Sequence, residues 1–382
     1  MSIIKKVYII ALHLAFGGIE KAICSMANLF CEKYDVEIIS VYDMPDAPAF
    51  PLDSRVKVRY LLGDIPNREE WKDAVKRKNV RDITRESLRS VKILTGKKKA
   101  VINAIKEIQD GVIITTRPED NELLSKYGSD NVLKIAQLHQ DHRFDKKIVD
   151  GFKHEYGRID ILAMLTPGLR DEAAEMMKGF NEHTETVYIP NFLEHYPCKA
   201  EYENRRKTVL AVGRLNVLKR FDLLVRQFAA VHERFPDWEL RIVGEGEERQ
   251  KIENTVKELS AEKYVTLTGM KDSAGVEEEM LNASVFAMSS VTEGFPFVLL
   301  EAQSCGLPIV AFDVRVGPGF VVHDGEDGFL APEGDGEKYR AALAELMLSD
   351  ELRREMSRKA EEASREFTRE KVSQIWYSLI GE

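Results

Sequence analysis

Residues 208–234 read TVLAVGRLNVLKRFDLLVRQFAAVHER. The first six are a short apolar run ended by glycine, the pattern of a strand buried on both faces. From Phe221 to Arg234 the apolar side chains recur at helical spacing, so a helix follows. Strand, short turn, helix is the repeating unit of a parallel sheet, because parallel neighbours need a crossover.

The same grammar runs through the first half. Lys6 to Leu12 is a buried-strand run, and Gly17-Gly18 opens a helix expected over Ile19 to Tyr34. Val36 to Tyr42 is a second strand; Gly111 to Thr116, Leu133 to Leu138 and Ile159 to Leu165 are further short apolar runs. After residue 208 it restarts, with strands at Glu239 to Val243, Tyr264 to Leu267, Val285 to Met288 and Pro308 to Phe312. The fold class is therefore α/β, with two doubly wound domains. At 382 residues the chain is also too long for one ordinary core. The polar stretch Pro190 to Lys207 reads as the linker, and Asp350 to Ile380 as two helices.

Composition narrows the function. Hydrophobic residues are 44% and charged residues 31%, a globular balance, and the net charge of −9 speaks against a general nucleic-acid binder. MSIIKKVYIIALHL at the start lacks a small-residue cleavage site and reads as a first strand. Cys24, Cys31, Cys198 and Cys305 form no close pair and read as reduced thiols of a cytoplasmic protein. One segment breaks the pattern. Residues 68–108 hold thirteen Lys or Arg against six Asp or Glu, with Trp71, Val75, Val80, Ile83, Leu88, Val91 and Leu94 interleaved. Such a stretch is either a helix pair with an apolar core face or a surface for an anionic membrane.

Several candidate residues fall where open α/β sheets place ligands, at the carboxyl ends of strands. Gly17 and Gly18 let backbone approach a ligand at a helix N-terminus, which favours phosphate. The spacing GxGxxG is absent there, which argues against a dinucleotide oxidoreductase. Arg214 and Lys219 follow a strand and suit the charge that builds on a departing diphosphate. Gly244 and Gly246 end another strand, and His139 closes a third. His142 beside Asp141 is more often structural than a metal pair. No Asp-x-Asp occurs, so a metal held through a diphosphate has no evident ligands, and no cofactor is expected. Glu293 and Glu301 bracket a loop and the apolar start of a helix, a spacing that suits hydroxyls at one end and phosphate at the other.

Together these pieces resemble glycosyltransferase family 4, retaining enzymes of the GT-B fold. The resemblance rests on GGIEK near the start, YIPNF at 188–192, VGRLNVLKRFD, RIVGEGEER, TEGFPFVLLEAQSCGLPIVAFD and HDGEDGFL. It implies two Rossmann-like domains facing across a cleft: an acceptor-binding domain over 1–190, a nucleotide-sugar domain over 191–365, and a last helix over 366–382 returning to the first domain. It implies that Arg214 and Lys219 hold the donor diphosphate, that Glu293 meets donor-sugar hydroxyls, and that Glu301 meets the ribose. Backbone N–H groups of Phe295, Pro296's neighbours Phe297 and Val298, and Leu299 would face sugar and phosphates. Gly17, Gly18, Gly244 and Gly246 would approach the donor, His139 the transferred sugar, and Glu20 the acceptor side. The implied reaction moves a hexose from a nucleotide sugar, a UDP-sugar foremost, to a saccharide or lipid-linked acceptor in surface-polysaccharide or glycolipid assembly. The protein would be cytoplasmic, peripheral on the inner membrane face through residues 68–108. A nucleotide-sugar epimerase of the same fold and a non-catalytic binding protein are the alternatives. One departure is VRVGPGFVVHDG, where Gly319 and Phe320 stand where relatives often carry a polar or acidic residue.

Overall fold

In the computed structural model the described residues are 5–45, 47–63, 65–196 and 202–381, which divide into two compact units. Unit 1 comprises residues up to Ile189 together with Trp376 onward; unit 2 is Pro190–Ile375. Pro197 of the expected linker and Cys198 lie outside the described residues. Cys24, Cys31 and Cys305 are buried.

Unit 1 is built on seven parallel strands: β1 (Lys6–Ala11), β2 (Asp35–Tyr42), β3 (Lys57–Leu62), β4 (Val112–Thr115), β5 (Leu133–Leu138), β6 (Ile161–Met164) and β7 (Glu185–Tyr188). Their order is β3-β2-β1-β4-β5-β6-β7. Ile9 pairs with Ile38 on one side and Ile114 on the other, and all three are fully buried. Apolar side chains on both faces are what a sheet covered by helices on both sides requires. The helices are α1 (Gly18–Phe30), α2 (Arg68–Lys76), α3 (Val80–Glu107), α4 (Pro118–Tyr127), α5 (Lys146–His154) and α6 (Pro167–Met177). Strand order reverses between β1 and β4, so the loops after these two strands flank a switch point, where such sheets bind ligands.

Unit 2 repeats the plan with six strands: β8 (Thr208–Val212), β9 (Glu239–Val243), β10 (Val265–Gly269), β11 (Val285–Met288), β12 (Ile309–Asp313) and β13 (Gly328–Pro332). The order β10-β9-β8-β11-β12-β13 puts its switch point between β8 and β11. Its helices are α7 (Phe221–His232), α8 (Arg249–Glu258), α9 (Ser273–Asn282), α10 (Phe297–Ser304), α11 (Pro318–Val321), α12 (Gly336–Leu348), α13 (Asp350–Ser364) and α14 (Arg369–Ile380), the last running past the division between units.

The core of unit 2 gathers Phe228, Trp238, Phe312 and Tyr339, with the Phe312 and Tyr339 rings stacked 4.5 Å apart. Arg353 is buried beside them, its guanidinium 5.1 Å from the Trp238 ring. That charge is tolerated because it donates to the carbonyls of Leu346 (2.5 Å) and Met347, the open end of α12, and to Asp350. In unit 1, Trp376 meets Phe30 edge to face at 5.3 Å, and the Tyr377 hydroxyl donates to the Leu29 carbonyl at 3.0 Å. The last turns of α14 thereby cap the end of α1.

One ion cluster gives unit 2 a pH-dependent stability. Arg241 donates to both oxygens of Glu279 (2.9 and 2.7 Å), and Lys271 sits 2.8 Å away. The Arg241 hydrogen bonds, then Lys271, hold the Glu279 carboxyl down at about 2. This stabilisation is complete above the ordinary carboxylate range and drains away as pH falls toward 2. Glu279→Gln is expected to cost about 1–2 kcal/mol at neutral pH. The gap in melting temperature between the two proteins should narrow steadily below pH ~4.3.

Candidate functional site

At the switch point of unit 2 two loops are stapled together. The loop after β8 begins at Gly213 and ends at Arg220, which caps α7 in the left-handed conformation (φ 47°). Arg220 earns that strain by donating to the carbonyls of Ser289 (3.0 Å) and Ser290 (3.3 Å) after β11. Ser289 Oγ returns a hydrogen bond to the Lys219 carbonyl, and the Val291 N–H donates to the Leu218 carbonyl. Within the first loop, Asn216 Oδ1 accepts from the N–H groups of Leu218 and Lys219, both at 3.1 Å.

This frame points Lys219 across the switch point at Glu293. Nζ and Oε1 lie 2.5 Å apart, and both side chains are largely but not wholly buried (21% and 12% exposed). A partly desolvated, charge-assisted pair of this kind is held firmly, yet a ligand can still reach it. Glu293 is fixed from behind by Gly317, where φ is 103° and a Cβ would come within 2.8 Å of the Glu293 Cβ. Asn191 Nδ2 donates to the Phe295 carbonyl at 3.3 Å, and the Phe295 ring packs against Phe320 and Phe367. Phe320 thus takes an aromatic packing role in the segment where the sequence departs from its resemblance.

The other expected residues take varied places. Arg214 is exposed and turned to Glu247 at 3.2 Å, so it stands on the same strand-end edge but not in the Lys219–Glu293 pair. Gly244 (φ 142°) and Gly246 bring the loop after β9 against the loop after β8. A Cβ there would lie 2.0 Å from the Gly213 carbonyl oxygen and 2.3 Å from that of Leu215. α10 begins at Phe297 with Pro296 before it and no side-chain cap. Phe295, Pro296, Phe297 and Leu299 are buried and Val298 half-buried, so main chain is what this turn can offer a ligand. The Leu299 N–H already donates to the Pro296 carbonyl at 3.0 Å and is therefore engaged within the turn. Glu301 lies half-buried in the second turn of α10.

Unit 1 has the counterpart arrangement, and one of its members, Arg117, was not foreseen. Glu20, in the first turn of α1, is buried and points inward. Its Oε1 accepts from Arg117 Nη2 at 3.1 Å and lies 3.6 Å from His13 Nδ1. Arg117 follows β4 and His13 follows β1, so these groups meet at the switch point of unit 1. Gly17 sits on top: a Cβ there would fall 2.0 Å from Glu20 Oε2, whereas Gly18 has open space. The absence of a side chain at Gly17 is what lets Glu20 tuck beneath the loop.

Beside them is a cavity of about 400 Å³, lined by Thr116, Arg117, Glu119, His139, Gln140 and Lys147 among others. The His139 ring is half-buried, and its Nε2 is shut from solvent with no hydrogen-bond partner among the described residues. Burial, then the Arg117 cation, pushes His139 down to about 3, so the ring is neutral at physiological pH. Asp120 in the first turn of α4 is fully buried, and burial pushes it up to about 6. His142 has a structural place: it is buried, 5.4 Å from the Phe152 ring and 3.1 Å from Glu172, while Asp141 accepts from the Arg143 N–H. Among the described residues no three His, Cys, Asp or Glu side chains gather as a metal site.

The depressed His139 value has a stability consequence. Between pH 6.5 and about 3 the unfolded chain takes up a proton that the folded ring refuses, so folding weakens as pH falls through that window. His139→Gln should remove this acid penalty. Nuclear magnetic resonance of the wild-type imidazole should show no titration between pH 5 and 8, the range of an ordinary histidine.

Residues 197–363 match the family described as glycosyl transferases group 1. An exopolysaccharide phosphotransferase of Streptomyces coelicolor is 28% identical over 387 residues, covering 96% of this chain but 39% of its own length. An uncharacterized glycosyltransferase of Haemophilus influenzae is 27% identical over 368 residues, covering 95% of this chain and 96% of its own. Among solved structures, the pneumococcal O-GlcNAc transferase GtfA in complex with UDP and GlcNAc superposes with a TM-score of 0.77 at 15% identity, over 99% of this chain and 98% of that one. The fold is GT-B, with two Rossmann-like domains.

Proposed function

We propose that this chain, whose residues 197–363 match the family described as glycosyl transferases group 1, transfers a hexose from a nucleotide sugar to a saccharide or lipid-linked acceptor with retention of configuration. The observation that carries the reading is the Lys219–Glu293 pair at the switch point of unit 2, 2.5 Å apart and open to a ligand. A nucleoside diphosphate sugar brings both things the pair lacks: phosphate charge for Lys219 and hydroxyls for Glu293. On binding, Lys219 exchanges its carboxylate for the diphosphate, and Glu293 turns to the sugar. Arg214 adds a second cation from the same edge, and the first turn of α10 offers main-chain N–H groups. Glu301 accepts from the ribose hydroxyls.

The chemistry follows from charge. The bond from the anomeric carbon to the phosphate oxygen breaks, and negative charge builds on the departing diphosphate, where Lys219 stabilises it. The acceptor hydroxyl attacks the same face, and its proton passes to the leaving phosphate. UDP is the nucleotide we assign, supported by the UDP bound in the superposed O-GlcNAc transferase. An exopolysaccharide or related glycan is the product class, in keeping with the name of the Streptomyces relative.

The test is a melting-temperature screen against UDP-, GDP- and ADP-sugars, because a ligand that binds only the folded state raises apparent stability. A UDP-sugar at about a hundred times its dissociation constant should stabilise by about 2.7 kcal/mol. No shift with any nucleotide sugar would end the reading.

A further inference from the structure

The basic segment resolves into α2 and a long α3, and its apolar residues are not all core. Ile93, Val101, Ala104 and Ile105 of α3 are buried. Val80, Leu88, Val91 and Leu94 are exposed at 73%, 68%, 59% and 63%. A helix that used all its apolar residues for packing would bury them on one stripe; α3 carries a second stripe that faces water. Along it Val80, Thr84, Leu88, Val91 and Thr95 follow at intervals of four, four, three and four residues, one continuous helical row. The two threonines belong to it as methyl groups. Thr84 Oγ1 donates to the Val80 carbonyl and Thr95 Oγ1 to the Val91 carbonyl, each at 2.8 Å, so their hydroxyls are turned to the helix backbone. The row is about 22 Å long at 1.5 Å per residue.

Charge around this row is one-sided. Arg81, Lys92 and Lys99 flank it, Lys98 ends it, and all four are exposed and make no ion pair among the described residues. The three acids of α3 turn elsewhere: Asp82 pairs with Arg85 and accepts from Asn79, Glu86 is buried against Asn67, and Glu107 pairs with Arg59. A narrow apolar ridge on a convex helix, edged by free cations, matches the boundary between headgroups and acyl chains of an anionic bilayer. A polyanion in water would leave the ridge unmet. An apolar protein groove would leave the cations unmet.

We propose that the exposed face of α3 docks this protein onto an anionic phospholipid surface, with Leu88, Val91 and Leu94 entering the headgroup layer. The proposal is independent of the donor reading, since none of these residues belongs to unit 2. The full chain is tested by co-sedimentation with vesicles of equimolar phosphatidylcholine and phosphatidylglycerol, and with phosphatidylcholine alone. Binding to the anionic vesicles is expected at low salt and should fall at high salt. Trp71 is exposed while Trp238 and Trp376 are buried, so a blue shift of its emission on binding would place α2 at the same surface. Leu88→Glu with Val91→Glu should weaken binding at least about tenfold, as should Lys92→Glu with Lys98→Glu and Lys99→Glu. All five positions are exposed, so melting temperatures should stay unchanged and certify the fold. No sedimentation with anionic vesicles at low salt overturns the proposal. So does binding that Leu88→Glu with Val91→Glu leaves intact, or capture of polyphosphate or RNA with vesicles left unbound.

Discussion

Replacing Lys219 by alanine is expected to lower sugar transfer by about a hundred- to a thousand-fold, the loss of about 2.7–4 kcal/mol that follows removal of one group stabilising transition-state charge. The fold should survive, because the Lys219 main chain, held by Asn216 Oδ1 and Ser289 Oγ, keeps the loop in place without the amine. The partner substitution separates the two roles. Glu293→Gln frees Lys219 from its carboxylate, so UDP alone should bind as well as before or more tightly. Transfer should nonetheless fall, because the sugar hydroxyls exchange a charged carboxylate acceptor for a weaker neutral amide. Steady-state kinetics on Lys219→Ala, alongside UDP titrations of Glu293→Gln, read both effects. Equal loss of UDP affinity in the two variants would mean that the pair acts as a structural unit and not as a donor clamp.

Gly244→Ala is expected to be among the most damaging single-methyl changes in the molecule. The residue sits at φ 142°, and the new Cβ would fall 2.0 Å from the Gly213 carbonyl oxygen, a backbone atom that cannot step aside. Main-chain hydrogen bonds hold both loops, from Gly213 N–H to the Val243 carbonyl and from Gly244 N–H to that of Gly269. Strain plus overpacking puts the loss at about 3 kcal/mol or more, with the Lys219 loop displaced as a consequence. Gly18→Ala is the contrast, since nothing lies within 4 Å of its Cβ. Its stability should change by less than about 1 kcal/mol, so any loss of activity there reports ligand approach. Chemical denaturation of the two variants side by side checks the difference.

The sheet centres could be read from the chain because their strands are buried on both faces and written as unbroken apolar runs. Leu133–Leu138, Glu239–Val243 and Val285–Met288 fall where the runs do. Three strands carried no such signal, and each lies at or beside a sheet edge. β3 and β7 are only half-buried, and β13 is bracketed by Gly328 and Pro332. With one face wet, KVRYLL and ETVY lack the run that marks a central strand. The candidate site divides along the same line. Glycines and charges after strands were visible as local patterns, and so were Lys219 and Glu293. That these two touch is a tertiary fact, made by Arg220 reaching residues about seventy positions away. Arg117 escaped notice although TTRPED places it after a central strand, just as VGRLN places Arg214. Its bond to Glu20 spans 97 positions and has no sequence signature. The basic segment was legible as charge, but only the fold separates the apolar residues that pack from those that face water.

We propose the switch point of unit 2 as a nucleotide-sugar donor site built on Lys219, Glu293 and Glu301. Calorimetric titration of UDP into the wild-type protein and into Lys219→Ala and Glu301→Ala tests it most directly. Saturable one-to-one binding to the wild type is expected, with affinity at least about tenfold weaker in each variant, a loss of about 1.4 kcal/mol or more. Melting temperatures should be unchanged. Wild-type affinity in both folded variants, or no UDP binding by the native chain, would contradict it.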